Sequence, residues 1–184
     1  MGAPALELGR SFVRAEYQKN YNALLLLWRG IGAFVARNPQ YRYLFGPVSI
    51  SARYSDTSHT MLVEFLRQNH LDRDLADLVQ AITPSPLTSP LDRTLPGSVD
   101  DLNRLIAEAE DDGKGMPVLL RQYLKLNARL LGVNVDRDFG DAVDALMIVD
   151  LTTVSANILR RYLGKRGSAD FLAFHERARS TRAA

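Results

Sequence analysis

The chain has 184 residues, 46% of them apolar and 24% charged, enough for one hydrophobic core and short for two, so a single domain over 1–184 is expected. It contains no cysteine, which excludes disulfides, thiolate metal sites and a cysteine nucleophile. A net charge of +2 gives no reason to expect a nucleic-acid partner.

Taken in chain order, Leu6, Leu8, Phe12 and Val13 stand among polar residues as in a strand, with Gly9 as a bulge or a place of close backbone approach. From about Gln18 the period lengthens. Tyr21, Leu24, Leu25, Trp28, Ile31 and Val35 recur at three- and four-residue steps, the face of a buried helix, until Asn38-Pro39 stops it. Tyr41 to Ile50 reads as a second strand interrupted at Gly46-Pro47, and strand, helix, strand is the crossover unit of a parallel pair. The join before the helix places polar side chains where free backbone amides receive an anion.

Ser55 to Asn69 then carries Met61, Leu62, Phe65 and Leu66 on one helical face, and Asp74 to Ile82 suggests a short further helix. The proline-rich stretch of about 83–97 reads as an exposed loop. Ser98 suits the cap of a helix to about Asp111, and Pro117 the start of another to about Leu131, closed by Gly132. Asp144 to Leu151 reads as a central strand, and Ser155 to Leu163 and Ser168 to about Arg179 as closing helices. The sum is an α/β fold with a mixed β-sheet flanked by helices. The start Met1-Gly2-Ala3-Pro4 lacks the features of a signal peptide, and the longest apolar run, Ala23 to Trp28, is too short for a membrane span; a cytoplasmic setting fits.

Several blocks in order carry a resemblance: Glu7 to Val13, Leu24 to Gly32, Tyr41 to Ser51, Pro117 to Leu126 and Asn134-Val135-Asp136. Together they resemble the ornithine-lipid N-acyltransferases, also called hemolysin-like proteins, of the GNAT acyltransferase superfamily. The resemblance implies a GNAT-like fold of which this chain is the C-terminal part, since the few residues before Glu7 leave no room for the first strands and helices. It implies a long-chain acyl group carried on acyl carrier protein, moved to a small amine acceptor such as the α-amino group of ornithine. No cofactor would be bound permanently; the acyl-phosphopantetheine of the carrier protein would be the co-substrate. Against the superfamily's phosphate-binding pattern, Gln18 and Ala23 match but Tyr21 stands at a glycine position, and its bulk argues for a carrier protein's single phosphate over coenzyme A.

Within that reading Glu7 is the candidate acid and base, because amine acylation requires an ammonium to lose a proton. Arg10 and Ser11 are candidates for orienting the thioester oxygen or the acceptor carboxylate; a strand-end salt bridge and a turn hydroxyl are their plainer roles. Gln18, Asn20, Tyr21, Asn22 and Ala23 form the candidate phosphate-binding turn. Arg121 and Lys125 lie four apart on one helix face, suited to a carboxylate or an acidic carrier protein, or simply to solvent. Asp136, Asp138, Asp141 and Asp144 lack the spacing of a calcium loop and read as caps and surface charge, with one carboxylate facing a cationic acceptor as the alternative. His59, His70 and His175, without acid or serine partners at a recognisable spacing, read as structural.

Arg160, Arg161, Lys165, Arg166, Arg177, Arg179 and Arg182 crowd the end of the chain and suit an acidic protein or the anionic inner face of a membrane as a peripheral contact. A second reading makes the chain a non-catalytic binding or assembly module, because a Glu7 strand with little chain before it would lie at an open sheet edge, suited to a larger assembly or a homo-oligomer.

Overall fold

The computed structural model describes residues 4–9, 13–17, 21–85 and 95–183. Four strands, β1 (Ala5–Glu7), β2 (Tyr43–Ile50), β3 (Arg129–Asp136) and β4 (Ala142–Asp150), form a mixed sheet in the order β1-β2-β4-β3. Among the described residues six α-helices accompany it: α1 (Tyr21–Arg37), α2 (Asp56–His70), α3 (Arg73–Ala76), α4 (Val99–Ala109), α5 (Val118–Lys125) and α6 (Ala156–Ala183). The α/β class and the helix-flanked mixed sheet expected from the sequence are both present. Contacts divide the chain into two compact units, 1–44 with 150–184, and 45–149.

In the first unit the apolar face of α1 packs against α6. Trp28 and Val35 are buried, and the Trp28 ring lies 5.9 Å from that of Tyr162. The helices come together through small residues: a Cβ on Gly32 would overlap the backbone carbonyl of Tyr162, and one on Gly167 would stand 2.7 Å from Ala36 Cβ. α6 is broken at Gly164, whose φ of 79° and ψ of 167° belong to a region that only glycine adopts without strain. The two closing helices expected from the sequence are therefore both there, separated by a single residue.

The same unit holds the closure of a long excursion. Arg42 Nε donates to Asp150 Oδ1 at 2.9 Å and to Oδ2 at 3.1 Å, Arg42 Nη2 also reaches Oδ2, and Leu151 N donates to the Arg42 carbonyl at 3.0 Å. Burial alone would raise the Asp150 carboxyl, but bonds from Arg42 and Thr152 outweigh it and hold it below the ordinary carboxylate range. His175, buried against Phe171, meets the Pro39 carbonyl at 2.8 Å.

In the second unit α2 starts at Ser55, whose Oγ accepts from Ser58 N at 3.2 Å. Every residue from Met61 to Leu66 is buried, so α2 is an interior helix rather than the one-sided helix its apolar pattern suggested. Leu102 and Ile106 of α4, Leu120 of α5 and Ala145, Met147 and Val149 of β4 share this unit's core. α3 is shorter than the expected 74–82 helix. Leu78 and Ile82 are exposed, so no apolar face rewards a further turn.

The chief correction concerns Arg129 to Asp136. The sequence suggested a helix to about Leu131, but α5 ends at Lys125, and Asn127, with a φ of 59°, turns the chain before Gly132 is reached. The next element is β3, antiparallel to β4 from Arg129 opposite Ile148 to Asp136 opposite Ala142, with Leu131 as an extra residue between Leu130 and Gly132. The expected break at Gly46-Pro47 is likewise absent, since β2 runs through it. Two short segments meet β3: Asp72 N donates to the Leu130 carbonyl at 3.0 Å, and Val135 N to the Thr83 carbonyl at 2.9 Å. Thr83 to Ser85 thus departs from the expected exposed loop, and Ser85 is buried; 86–94 lies outside the described residues.

Two glycines of α1 separate packing from propensity. Gly30→Ala, with open space at its Cβ, should gain roughly 0.8–1 kcal/mol, whereas Gly32→Ala, forced into the Tyr162 backbone, should lose roughly 1–3 kcal/mol. Urea unfolding of the two variants against the parent chain checks both signs.

Candidate functional site

Glu7 closes β1 with an exposed side chain. Its carboxylate lies over Gly9, where a Cβ would stand 2.8 Å from Oε1, so the turn gives the carboxylate room that any other residue would narrow. Arg10 and Ser11, its expected companions, and Gln18 and Asn20 lie outside the described residues. The chain passes a 3-10 turn at Ala15–Tyr17, carrying an exposed Arg14–Glu16 ion pair, and enters α1 at Tyr21. Tyr21, Asn22 and Ala23 form the first turn of α1, which contains no acidic residue to compete for its free amides. The side chain of Tyr21 is outside the described residues, so its bulk remains an expectation from sequence. The structure thus keeps Glu7, Gly9 and the α1 entry in the first unit, and places Arg121 and Lys125 in the second.

On α5, Lys125 is exposed but Arg121 is half-buried and engaged. Its Nη1 donates to Asn103 Oδ1 at 3.1 Å, an oxygen that also accepts from Met116 N at 3.0 Å. Gly115 lets Asn103 in, because a Cβ there would overlap the same oxygen. The Arg121 guanidinium therefore already has a structural task, and Lys125 is the more available cation of the pair.

The four aspartates divide as their surroundings dictate. Asp136 Oδ1 accepts from the backbone of Asp138 and Phe139, each at 3.0 Å, and so braces the turn between β3 and β4. Asp138 and Asp141 are exposed. Asp144 faces Asn134 across the hairpin, and its Oδ1 is buried without a hydrogen-bond partner. Among the described residues no three His, Asp or Glu side chains are placed to hold a metal ion.

A buried carboxylate that sequence reasoning misses is Glu110. It accepts from Ser55 N at 2.9 Å and Ser55 Oγ at 2.8 Å, and pairs with Lys114 Nζ at 2.7 Å. The bond from Lys114 first, then those from Ser58 and Ser55, hold its carboxyl down at about 2. Lys114 also donates to the Arg53 carbonyl at 3.1 Å, and the Tyr54 hydroxyl donates to the Gly115 carbonyl at 2.8 Å. This is a clamp on the N-terminus of α2 from the end of α4. No local motif announces it, because its members are 55 residues apart.

The second unit also holds an open cavity of about 610 Å³, lined by Asp56 and His59 of α2, Ser85, Val143, and Arg137 and Asp141 of the β3–β4 turn. His59 is only 5% exposed, yet its Nε2 has no hydrogen-bond partner. Along the chain His59 has no acid or serine partner at a recognisable catalytic spacing. Its ring lies 6.2 Å from that of Tyr54, and it shares the cavity lining with a turn nearly eighty residues later.

Among known proteins, the chain is 31% identical over 157 residues to a glycine N(alpha)-acyltransferase of Bacteroides thetaiotaomicron, covering 78% of this chain and 46% of that one. It is 28% identical over 165 residues to a glycine N(alpha)-acyltransferase of Phocaeicola vulgatus, covering 81% and 49%. With an L-ornithine N(alpha)-acyltransferase of Brucella abortus it shares 27% over 161 residues, covering 85% and 51%. The chain spans about half the length of the curated relatives it matches. No family model matches it, and no solved structure does. The resemblance read from the sequence blocks is thus borne out: the chain is homologous over most of its length to amino-acid N-acyltransferases.

The Glu110 clamp has a pH signature. With its carboxyl at about 2 in the fold against an ordinary 4.5, Glu110 stabilises fully above 4.5 and loses that contribution as pH falls from 4.5 toward 2. The stability difference between the parent chain and Glu110→Gln should therefore shrink across that window, as read by urea unfolding at successive pH values.

Proposed function

We propose that this chain, a homologue of amino-acid N-acyltransferases over most of its length, carries the thioester side of an enzyme that moves a long-chain acyl group from acyl carrier protein to an amine. The observation that supports this most is the pairing of that homology with an exposed carboxylate at the end of β1, followed within the same unit by a helix entry free of acidic residues. The acceptor's ammonium gives a proton to Glu7, directly or through water, and the free amine attacks the thioester carbonyl. A carbon–nitrogen bond forms, the carbon–sulfur bond breaks, and the leaving thiolate takes a proton. No covalent enzyme intermediate is needed, in keeping with a chain that has no cysteine. Arg10 and Ser11 are assigned to the developing oxyanion or the acceptor carboxylate, and Gln18, Asn20, Tyr21, Asn22 and Ala23 to the phosphate of the phosphopantetheine arm.

The carrier protein is acidic in this reading, and cationic surface is available to it. Arg161, Lys165 and Arg177 are exposed along α6, and Lys125 is exposed at the end of α5. The acceptor is an α-amino acid such as ornithine or glycine, and the product an N-acyl amino acid of the kind used in lipid biosynthesis. Among the described residues no helix is long and apolar enough to cross a membrane. In a second reading, suggested by the half-length match, the chain binds the donor and turns it over only together with the rest of a larger acyltransferase.

The test is acyl transfer by this chain, and by any longer protein that contains it, with acyl carrier protein thioester and either ornithine or glycine. Acyl-amino acid should form, faster than with the same acyl group on coenzyme A. Glu7→Gln should lower kcat by about 10²–10⁴ while leaving the unfolding curve unchanged. No product, or a Glu7→Gln variant of full activity, overturns the assignment. Product from the present chain alone would decide against the second reading.

A further inference from the structure

The charges of this chain are sorted between its two units. Segments 1–44 and 150–184, which make the first unit, carry thirteen Lys and Arg against five Asp and Glu, whereas 45–149 carries ten against sixteen. The first unit is therefore strongly cationic within a chain whose net charge is only +2. A unit charged this far in one direction is drawn to an anionic partner.

Within that unit, α1 has the face to meet one. Its buried residues Trp28, Gly32 and Val35 lie on the side packed against α6, where Gly32 meets the Tyr162 backbone. At the complementary steps Leu26, Arg29, Gly30, Ala33, Phe34 and Arg37 are all exposed, so they form a stripe turned away from α6. Leu26 is 61% and Phe34 45% exposed, with only the small Gly30 and Ala33 beside them. No Asp or Glu occurs among the 17 residues of α1, so Arg29 and Arg37 have no carboxylate on their own helix. A stripe that joins large apolar side chains to arginines, on a helix without acids, has the make-up of a helix that lies in a membrane interface.

The same features decide among occupants. A second copy docked through this stripe would bring arginines together with no acid on either α1 to pair them. A surface of carboxylates alone answers the arginines but not Leu26 and Phe34. An anionic bilayer answers both, with phosphates at the level of the guanidinium groups and acyl chains beneath them. Gly30 and Ala33, having little bulk, let the helix settle to that depth. Among the described residues no helix is long and apolar enough to cross, so the contact is one of lying on the surface.

We propose that α1 is an interfacial helix by which this chain docks on an anionic phospholipid bilayer, with Leu26 and Phe34 sunk among the acyl chains and Arg29 and Arg37 at the phosphates. The cations of α6, on the other side of α1 from the stripe, act at longer range and are more strongly screened. The docking uses no step of the acyl transfer and stands or falls apart from it.

Co-sedimentation of the full chain with lipid vesicles tests this without turnover. The chain should bind phosphatidylglycerol vesicles saturably and phosphatidylcholine vesicles about tenfold or more weakly, with the stronger binding falling as salt rises. Leu26→Gln and Phe34→Ser leave the charge as it is, yet each should weaken binding to phosphatidylglycerol about tenfold. Arg29→Gln combined with Arg37→Gln should weaken it by a similar factor, and Arg161→Gln combined with Lys165→Gln on α6 by less. Leu26→Gln, at the most exposed of these apolar positions, should leave the unfolding temperature unchanged. No binding to phosphatidylglycerol, equal binding to both vesicle types, or binding that the α6 pair abolishes and the α1 substitutions leave intact overturns the proposal. So does a dimer in light scattering that Leu26→Gln dissociates, which would give the stripe to a second copy. Loss of acyl carrier protein binding in the α1 variants, with vesicle binding kept, would give it to an acidic protein and overturn the proposal equally.

Discussion

The Arg42–Asp150 pair closes a long excursion of the chain. Between those two residues lie all of the second unit, the whole of β2 and β3, and β4 up to Val149, and the closure spans 108 positions. Loop closure of that length is entropically expensive, though the cost grows only with the logarithm of length. The structure meets it with several interactions at one place: two bonds to the carboxylate from Arg42 Nε, a further one from Nη2, and a backbone bond between Leu151 and Arg42. Asp150 also accepts from Thr152 N and Oγ1, which sets the turn leading into α6. A half-buried carboxylate with this many donors stays ionised at physiological pH, so the tie does not loosen there.

The second unit solves a different problem. An interior helix needs both of its ends managed, because buried backbone groups without partners are costly. At the start of α2 this is the work of Ser55 and Glu110 together, with Lys114 neutralising the buried carboxylate from outside. The edge of β3 is managed just as concretely, by the short pairings at Leu71–Asp72 and Thr83–Ser85 that occupy part of its outer side. The second of these also carries the chain to the cavity wall, so the device that blunts the edge helps to shape the cavity.

Much of this was legible in the sequence, and the failures have physical causes. Ser55 and Ser98 announced their helices because a hydroxyl before an apolar run has few other uses there. Trp28 and Val35 announced a buried face by spacing alone. β3 was missed because Leu130, Leu131 and Val133 continue the apolar pattern of α5, and the residue that ends that helix, Asn127, adopts the left-handed conformation without being a glycine. The interior character of α2 was invisible because Glu64 looks like a surface residue until Arg67 is seen beside it at 3.1 Å. The succession of β1 and α1 was legible in the sequence, whereas the cavity was not. Its charges come from α2 and from a distant turn, and no local spacing brings His59, Arg137 and Asp141 together.

The extra residue in β3 has a consequence for how this hairpin tolerates genetic change. On either side of Leu131 the register runs Leu130 opposite Met147 and Gly132 opposite Leu146. Losing a single codon away from the bulge would turn the following side chains of that strand to the wrong face of the sheet. Losing the Leu131 codon would instead bring Leu130 and Gly132 into regular succession and leave Val133 and Val135 on the face they already occupy. Because residues 130 and 131 are both leucine, losing either codon gives the same chain, in which the ladder is mended and its inside and outside stay where they were.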